Sequence, residues 1–260
     1  MVPRVLVCAG RDSSGRAGLD ADAMAIEAFG AEAVSVVTTE TVQKGPSILD
    51  IQPRPEAVWL DELRQRQVGV AVWKSGLLYG AAAVEAFATA VETFGEGRTV
   101  LCDPVLAATG GERFLDGRGV AALRDTLLPL GVILTPNLPE AAEIAGMGPS
   151  DWEAMAREPE LRLRAAHELL ELGAAAVLLK GGHGGEDPVR DLVLERDTEP
   201  LWLEHARIAG PGMRGSGCRY ASSVAALLAR GESLPEAARR AAEKVLEWIR
   251  QGVCVDEGSR

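Results

Sequence analysis

Short apolar runs alternate with longer mixed segments along most of the 260 residues of this chain. Residues 4–8 read as a buried strand, and a glycine-rich turn leads from it into a helix over about 18–29. Residues 32–39 are strand-like, with β-branched Val34, Val36 and Val37. The same rhythm predicts a helix over 55–66, a strand over 70–74, a helix over 81–94 and a strand over 99–102. It continues with a helix over 117–127, a strand over 132–134, helices over 138–145 and 160–172, and a strand over 176–180. Beyond Lys180 the pattern changes: 190–195 and 201–208, split by a polar turn, read as an antiparallel hairpin at one sheet edge. Helices over 218–229 and 234–251 close the chain. Such alternation predicts the α/β class, with a mainly parallel sheet covered by helices on both faces. No repeat, low-complexity tract or linker divides the chain, so one domain over 1–260 is expected.

Composition narrows the function classes. The hydrophobic fraction is 47% and the charged fraction 25%, as in soluble globular proteins. A net charge of −11 argues against a nucleic-acid partner, although a few arginines and a helix N-terminus suffice to hold one phosphate. Cys8, Cys102, Cys218 and Cys254 show no CxxC pairing, and three scattered histidines offer no zinc set. The cysteine usage fits a reduced, cytoplasmic protein. No leader is read before the first strand, and no apolar run reaches the roughly 18 residues of a membrane span.

In a parallel α/β sheet, ligands bind beyond the carboxyl ends of the strands. Arg214, Gly215, Ser216, Gly217 and Cys218 lead into an alanine-rich helix, whose first-turn amides and dipole suit an anion; a plain tight turn is the alternative. At that helix start, with Arg214 and Arg219 beside it, the Cys218 thiol is expected to have a lowered pKa, unless it is a small buried hydrophobe. Asp22 either balances a helix end or bonds a substrate hydroxyl or ring amine. Asn137 and Glu140 have capping-box spacing, and equally could organise Mg²⁺-bound water and phosphate. Lys180, before two glycines, could meet nucleotide phosphates or lie at the sheet rim, and Asp103 repeats that layout with a carboxylate.

These segments resemble the hydroxymethylpyrimidine and phosphomethylpyrimidine kinases of thiamine synthesis, within the ribokinase-like group. The likeness runs from about Val5 to Val245. Its most specific pieces are the run from Thr135 through Pro136, Asn137, Leu138 and Pro139 to Glu140, then Lys180 to His183, Asp103 to Val105, and Gly215 to Cys218. The resemblance implies a three-layer α/β/α sandwich, generally homodimeric, that transfers a phosphoryl group from ATP with Mg²⁺ to a small-molecule hydroxymethyl group. It further implies that Cys218 is catalytic, with Gly215, Ser216 and Gly217 forming the anion hole. Asp22, Gln43, Gly76, Leu77 and Val105 would hold the pyrimidine. Lys180, Asn137 and Glu140 would serve ATP, with Glu140 and Asp103 toward the metal.

The chain departs from that pattern at Arg11, Arg16, Ala108, Thr109, Arg214, Arg219 and Lys44. Four arginines near one cleft would favour a more anionic ligand or fill space meant for ATP or the pyrimidine; alternatively, they pair with local acids at the surface. Two further readings are therefore carried: a non-catalytic relative that binds a pyrimidine or phosphate, and a pyridoxal-type kinase.

Overall fold

The computed structural model describes residues 2–44, 47–148, 150–210 and 213–252. Nine strands form one sheet: β1 (Arg4–Asp12), β2 (Glu32–Lys44), β3 (Ser47–Pro53), β4 (Val72–Ser75), β5 (Thr99–Cys102), β6 (Ile133–Leu134), β7 (Ala176–Leu179), β8 (Val189–Glu195) and β9 (Leu201–His205). Their order is β3-β2-β1-β4-β5-β6-β7-β8-β9. The six strands from β2 to β7 in that order are parallel, while β3, β8 and β9 are antiparallel to their neighbours.

Alternate side chains of each strand go to opposite faces, as the pleat requires. Leu6 and Cys8 join one core with Trp73, Val100, Leu134 and Val177, while Val5, Val7 and Ala9 join the other with Val72, Leu101 and Leu178. The first core is closed by α2 (Glu56–Arg66), α3 (Gly80–Phe94), α4 (Gly117–Ala122), α5 (Leu138–Ile144), α6 (Asp151–Met155) and α7 (Pro159–Glu171). The second is closed by α1 (Gly18–Ala28), α8 (Ser216–Ala229) and α9 (Leu234–Arg250). The three-layer α/β/α sandwich implied by the resemblance is the architecture observed.

The chain leaves β1 toward β2 on one side and returns to β4 on the other. A crevice opens at such a reversal, beyond the strands' carboxyl ends. Backbone bonds prolong the ladder there: Gly76 N–H donates to Cys8 O, Asp103 N–H to Ser75 O, Thr135 N–H to Cys102 O, and Lys180 N–H to Pro136 O. Residues from five separate strand ends are thus aligned along one rim.

Element boundaries agree with the sequence pattern to within a few residues at most ends, with three differences. β1 runs on to Asp12 and β2 to Lys44, because the backbone ladder continues through Gly10, Arg11 and Asp12 regardless of their side chains. β3 was not anticipated; it pairs with the tail of β2 and is largely exposed, so no apolar face marks it. The short α6 was also missed.

The core of the first face depends on Phe87, which is fully enclosed with its ring centroid 6.4 Å from that of Trp73. Phe87→Ala is expected to cost about 3–5 kcal/mol, read as a lower urea midpoint with an unchanged slope; an unmoved midpoint would contradict this packing.

Candidate functional site

The loop before α8 can take only glycine at its cap. Gly215 has φ +71, and a Cβ there would lie 2.7 Å from Arg16 O and 2.8 Å from Arg219 Nη1. The N-terminal turn therefore lies directly against the start of α8. Arg219, 1% exposed, ties the two together by donating from Nη1 to Arg16 O at 2.9 Å and Arg214 O at 3.0 Å. Arg214 reaches Asp12 at 3.1 Å, and Asp12 also accepts from the amide and hydroxyl of Ser14. Arg11 faces Glu40 at 3.5 Å on the outer surface. Of the two alternatives for the arginines, the contacts shown for these three match pairing with local groups, namely carbonyls and nearby acids.

Two buried ion pairs lie inside this turn. Lys74, at the end of β4, donates to Asp22 Oδ1 at 2.9 Å, with both side chains at 0% exposure. Ser222 on α8 donates to the same oxygen at 2.7 Å. Burial opposes the charge on Lys74 most strongly, but Asp22, Cys218 and Asp103 together outweigh it and hold the ammonium above its ordinary range. Lys180, after β7, donates to Asp103 Oδ1 at 2.7 Å. Gly217 lies close by, since a Cβ on it would come 3.4 Å from Lys180 Nζ.

Cys218 is half-buried in the first turn of α8. Burial pushes its thiol up to about 11; Asp22 and Asp103 push the same way, and Lys74 and Lys180 pull back. The expectation of a lowered pKa is corrected. Arg214 and Arg219 lie near in sequence, but the charges that act on the thiol come from α1, from the end of β4 and from the residues after β5 and β7.

The remaining predicted residues divide into groups. Asn137 and Glu140 form a reciprocal capping box at the start of α5: Glu140 N–H donates to Asn137 Oδ1, and Asn137 N–H donates to Glu140 Oε2. Glu140 nevertheless belongs to the charged rim, for burial pushes it up to about 7 while Lys180 pulls it down and Asp103 raises it. Gly76 and Leu77 lie against Ala9 and Gly10; a Cβ on Gly76 would meet Ala9 Cβ at 2.9 Å. Val105 is half-buried just beyond Asp103. Gln43 lies over the N-terminal turn, with its amide to Ser13 Oγ at 3.4 Å and its Nε2 to Thr41 Oγ1 at 2.9 Å. Asp22 does not join these at an open surface: it is enclosed, and its shown partners are Lys74 and Ser222.

A cavity of about 330 Å³ opens on the other side of the α8 start. Asn137, Lys180, Ser216 and Gly217 line it together with Asp191 and His205 and with Val245 and Ile249 of α9. Neither the α9 wall nor Lys74 was singled out from sequence. Lys74, like Lys180, is a cation near a strand's carboxyl end with a glycine close behind (Gly76, after Ser75), and that signal could have found it.

The match to known proteins follows this geometry. Residues 12–260 match the family model described as phosphomethylpyrimidine kinase. The chain belongs to that family. It is 36% identical over 248 residues to the thiamine biosynthesis bifunctional protein ThiED of Geobacter sulfurreducens, covering 95% of this chain and 49% of that protein. The chain thus spans about half the length of that bifunctional relative. It is 31% identical over 262 residues to the hydroxymethylpyrimidine/phosphomethylpyrimidine kinase of Bacillus subtilis, covering 98% of this chain and 92% of that one. Among solved structures, the pyridoxal kinase of Staphylococcus aureus in complex with ADP superposes with a TM-score of 0.87 at 26% identity, covering 99% and 91% of the two chains.

The Glu140 environment makes a testable statement. An unfolded chain releases this proton near 4.5, whereas the folded protein holds it to about 7. The stability contributed by that raised value is full below pH 4.5 and is lost as pH rises through 7. Relative to Glu140→Gln, which preserves the capping box, ligand-free wild type should lose on the order of 3 kcal/mol across this window. Parallel stability–pH curves for the two proteins would contradict the enclosed carboxyl.

Proposed function

We propose that the chain transfers the γ-phosphoryl group of ATP to a hydroxymethylpyrimidine, to its monophosphate, or to both in turn. The observation that supports this reading is the cavity that reaches Lys180, Ser216 and Gly217 at the start of α8, one residue from Cys218. The 330 Å³ cavity has both Lys180 and apolar residues of α9 in its lining, which suits nucleotide phosphates and base. Gly76, Leu77, Val105 and Gln43 are the residues that the family resemblance assigns to a small heteroaromatic ring, and Gly76 and Leu77 lie against the β1 end at Ala9 and Gly10.

The chemistry follows from the parts. The amides of Gly217 and Cys218 fall in the first turn of α8, where a helix leaves N–H groups without intrahelical acceptors and its dipole favours negative charge. They hold the transferring phosphoryl group, with Lys180 as a point charge. The substrate hydroxyl oxygen forms the new bond to phosphorus, and the bond to the β-phosphate bridging oxygen breaks, that oxygen leaving with the electron pair as part of ADP. Cys218 as the thiolate accepts a hydrogen bond from the substrate hydroxyl and takes its proton as the new bond forms, ending as the thiol.

Magnesium belongs to this reading, supplying charge neutralisation between phosphates when bound. Among the described residues no three His, Cys, Asp or Glu cluster as a metal site. The donors available fit an ion held mainly by phosphates and water, with Glu140 as carboxylate, while Asp103 gives Oδ1 to Lys180. A homodimer and a cytoplasmic setting complete the proposal. The first is supported by the outer edge of β3 with Leu49 64% exposed, the second by free thiols at Cys8, Cys102 and Cys218. No helix of the described residues is long and apolar enough to cross a membrane.

A pyridoxal-type kinase is the second reading, favoured by the superposition on the S. aureus enzyme. The contacts of Arg11, Arg214 and Arg219 support turnover over a non-catalytic role. The test is ADP formation with hydroxymethylpyrimidine, its monophosphate and pyridoxal, each with Mg²⁺. Turnover is expected with a pyrimidine, and Cys218→Ala should lower kcat by roughly 100-fold or more while the ATP Kd holds. Turnover with pyridoxal alone would replace the substrate, and silence of folded wild type with all three would overturn the reading.

A further inference from the structure

Alternation along the last two strands puts Val189, Asp191 and Val193 of β8 and Leu201, Leu203 and His205 of β9 on the sheet face covered by α8 and α9. Asp191 and His205 are the polar members of this group, and the ladder makes them diagonal neighbours, with Asp191 opposite Leu203 and His205 opposite Val189. His205 Nε2 lies 3.4 Å from Asp191 Oδ2, while Asp191 Oδ1 accepts the Gly181 amide at 2.7 Å. Burial separates the partners: the Asp191 side chain is 6% exposed and that of His205 21%. The imidazole is the more open member of the pair, and it lines the 330 Å³ cavity that Lys180 also lines. A charge pair on a buried face is weak evidence for stability, so its place in the cavity is the feature that calls for a reason.

Other titratable groups surround the ring. Arg207, two residues on, donates from Nε to Glu186 O at 3.0 Å and from Nη1 to Gly182 O at 3.2 Å. Lys180 and His183 line the cavity from the end of β7 and the turn after it, and Tyr220 lines it from α8, while α9 contributes Ala242, Val245, Leu246 and Ile249. The Asp191 hydrogen bond holds the His205 imidazolium above its ordinary range, against burial and Arg207, whereas burial and Lys180 hold His183 below its own. We propose that His205 is a nucleotide-binding residue: its imidazolium, held by Asp191, supplies positive charge to the phosphates of a nucleotide in this cavity. A neutral His205 then takes up a proton as the phosphates bind. The proposal rests on the cavity's being the nucleotide site and is independent of Cys218 and of the acceptor ring.

The His205 imidazole signal of wild type, followed by NMR against pH with and without ADP, reports this directly. ADP should raise the midpoint of His205, and adenosine, which lacks phosphate, should leave it in place. Calorimetry gives the same linkage from the ligand's side. The ring is charged below its midpoint, so wild type should bind ADP roughly fivefold more weakly above the midpoint than below it, measured as a ratio to His205→Gln at each pH. That ratio cancels the titration of ADP itself and of Glu140, and His183→Gln should keep the dependence. An ADP-bound protein whose His205 midpoint stays still would overturn the proposal and leave the kinase reading standing, as would a midpoint that adenosine moves equally. Folded wild type that binds no ADP would overturn both.

Discussion

The ammonium of Lys74 lies in the dry centre of the sheet, where a lone charge would cost several kcal/mol, and Asp22 at 2.9 Å is what makes it tenable. That pairing fixes more than two side chains. It joins α1 to β4, and through Ser222 it fixes the rotation of α8 about its axis. The rotation determines where Cys218 and the first-turn amides point. The second pair, Lys180 with Asp103, joins the ends of β7 and β5 and stands against Gly217. Charges that the fold must neutralise are thereby placed beneath the start of α8, whose first-turn amides suit an anion.

The topology brings these pieces together. Because β1 lies beside β4, the turn after β1 is adjacent to Lys74 and Gly76, although they are far apart in sequence. Gly215 lets that turn approach α8, and Arg219 seals the contact by donating to carbonyls on both sides. A buried guanidinium that donates to backbone oxygens of both loops holds them together. Arg219 therefore departs from the family pattern as a fastening of the site, while Arg214 and Arg11 answer Asp12 and Glu40.

Much of the fold was legible because the central strands are short, doubly buried and rich in aliphatic residues, with helices of clear period between them. β3 was hidden because its pairing is purely a backbone ladder and its side chains face solvent. The rim residues Lys180, Asp103, Asn137 and Glu140 stood out because each directly follows a strand run. The charge state of Cys218 did not, since Arg214 and Arg219 are its neighbours in sequence whereas Asp22, Lys74, Asp103 and Lys180 are its neighbours in space. Asp22 was read as facing a ligand because its partner, Lys74, lies 52 residues further along the chain. Long-range pairing of buried charges leaves no local pattern to read.

The claim on which the account turns is that the first turn of α8 receives the phosphoryl group between the two lysine–aspartate pairs. Amide hydrogen exchange over residues 213–222, with and without ADP, aluminium fluoride and hydroxymethylpyrimidine together, tests it most directly. The account predicts slowed exchange at Gly217 and Cys218 when all three are present, beyond that produced by ADP alone. Exchange at those amides that is the same in the full mixture as in ADP alone would contradict it.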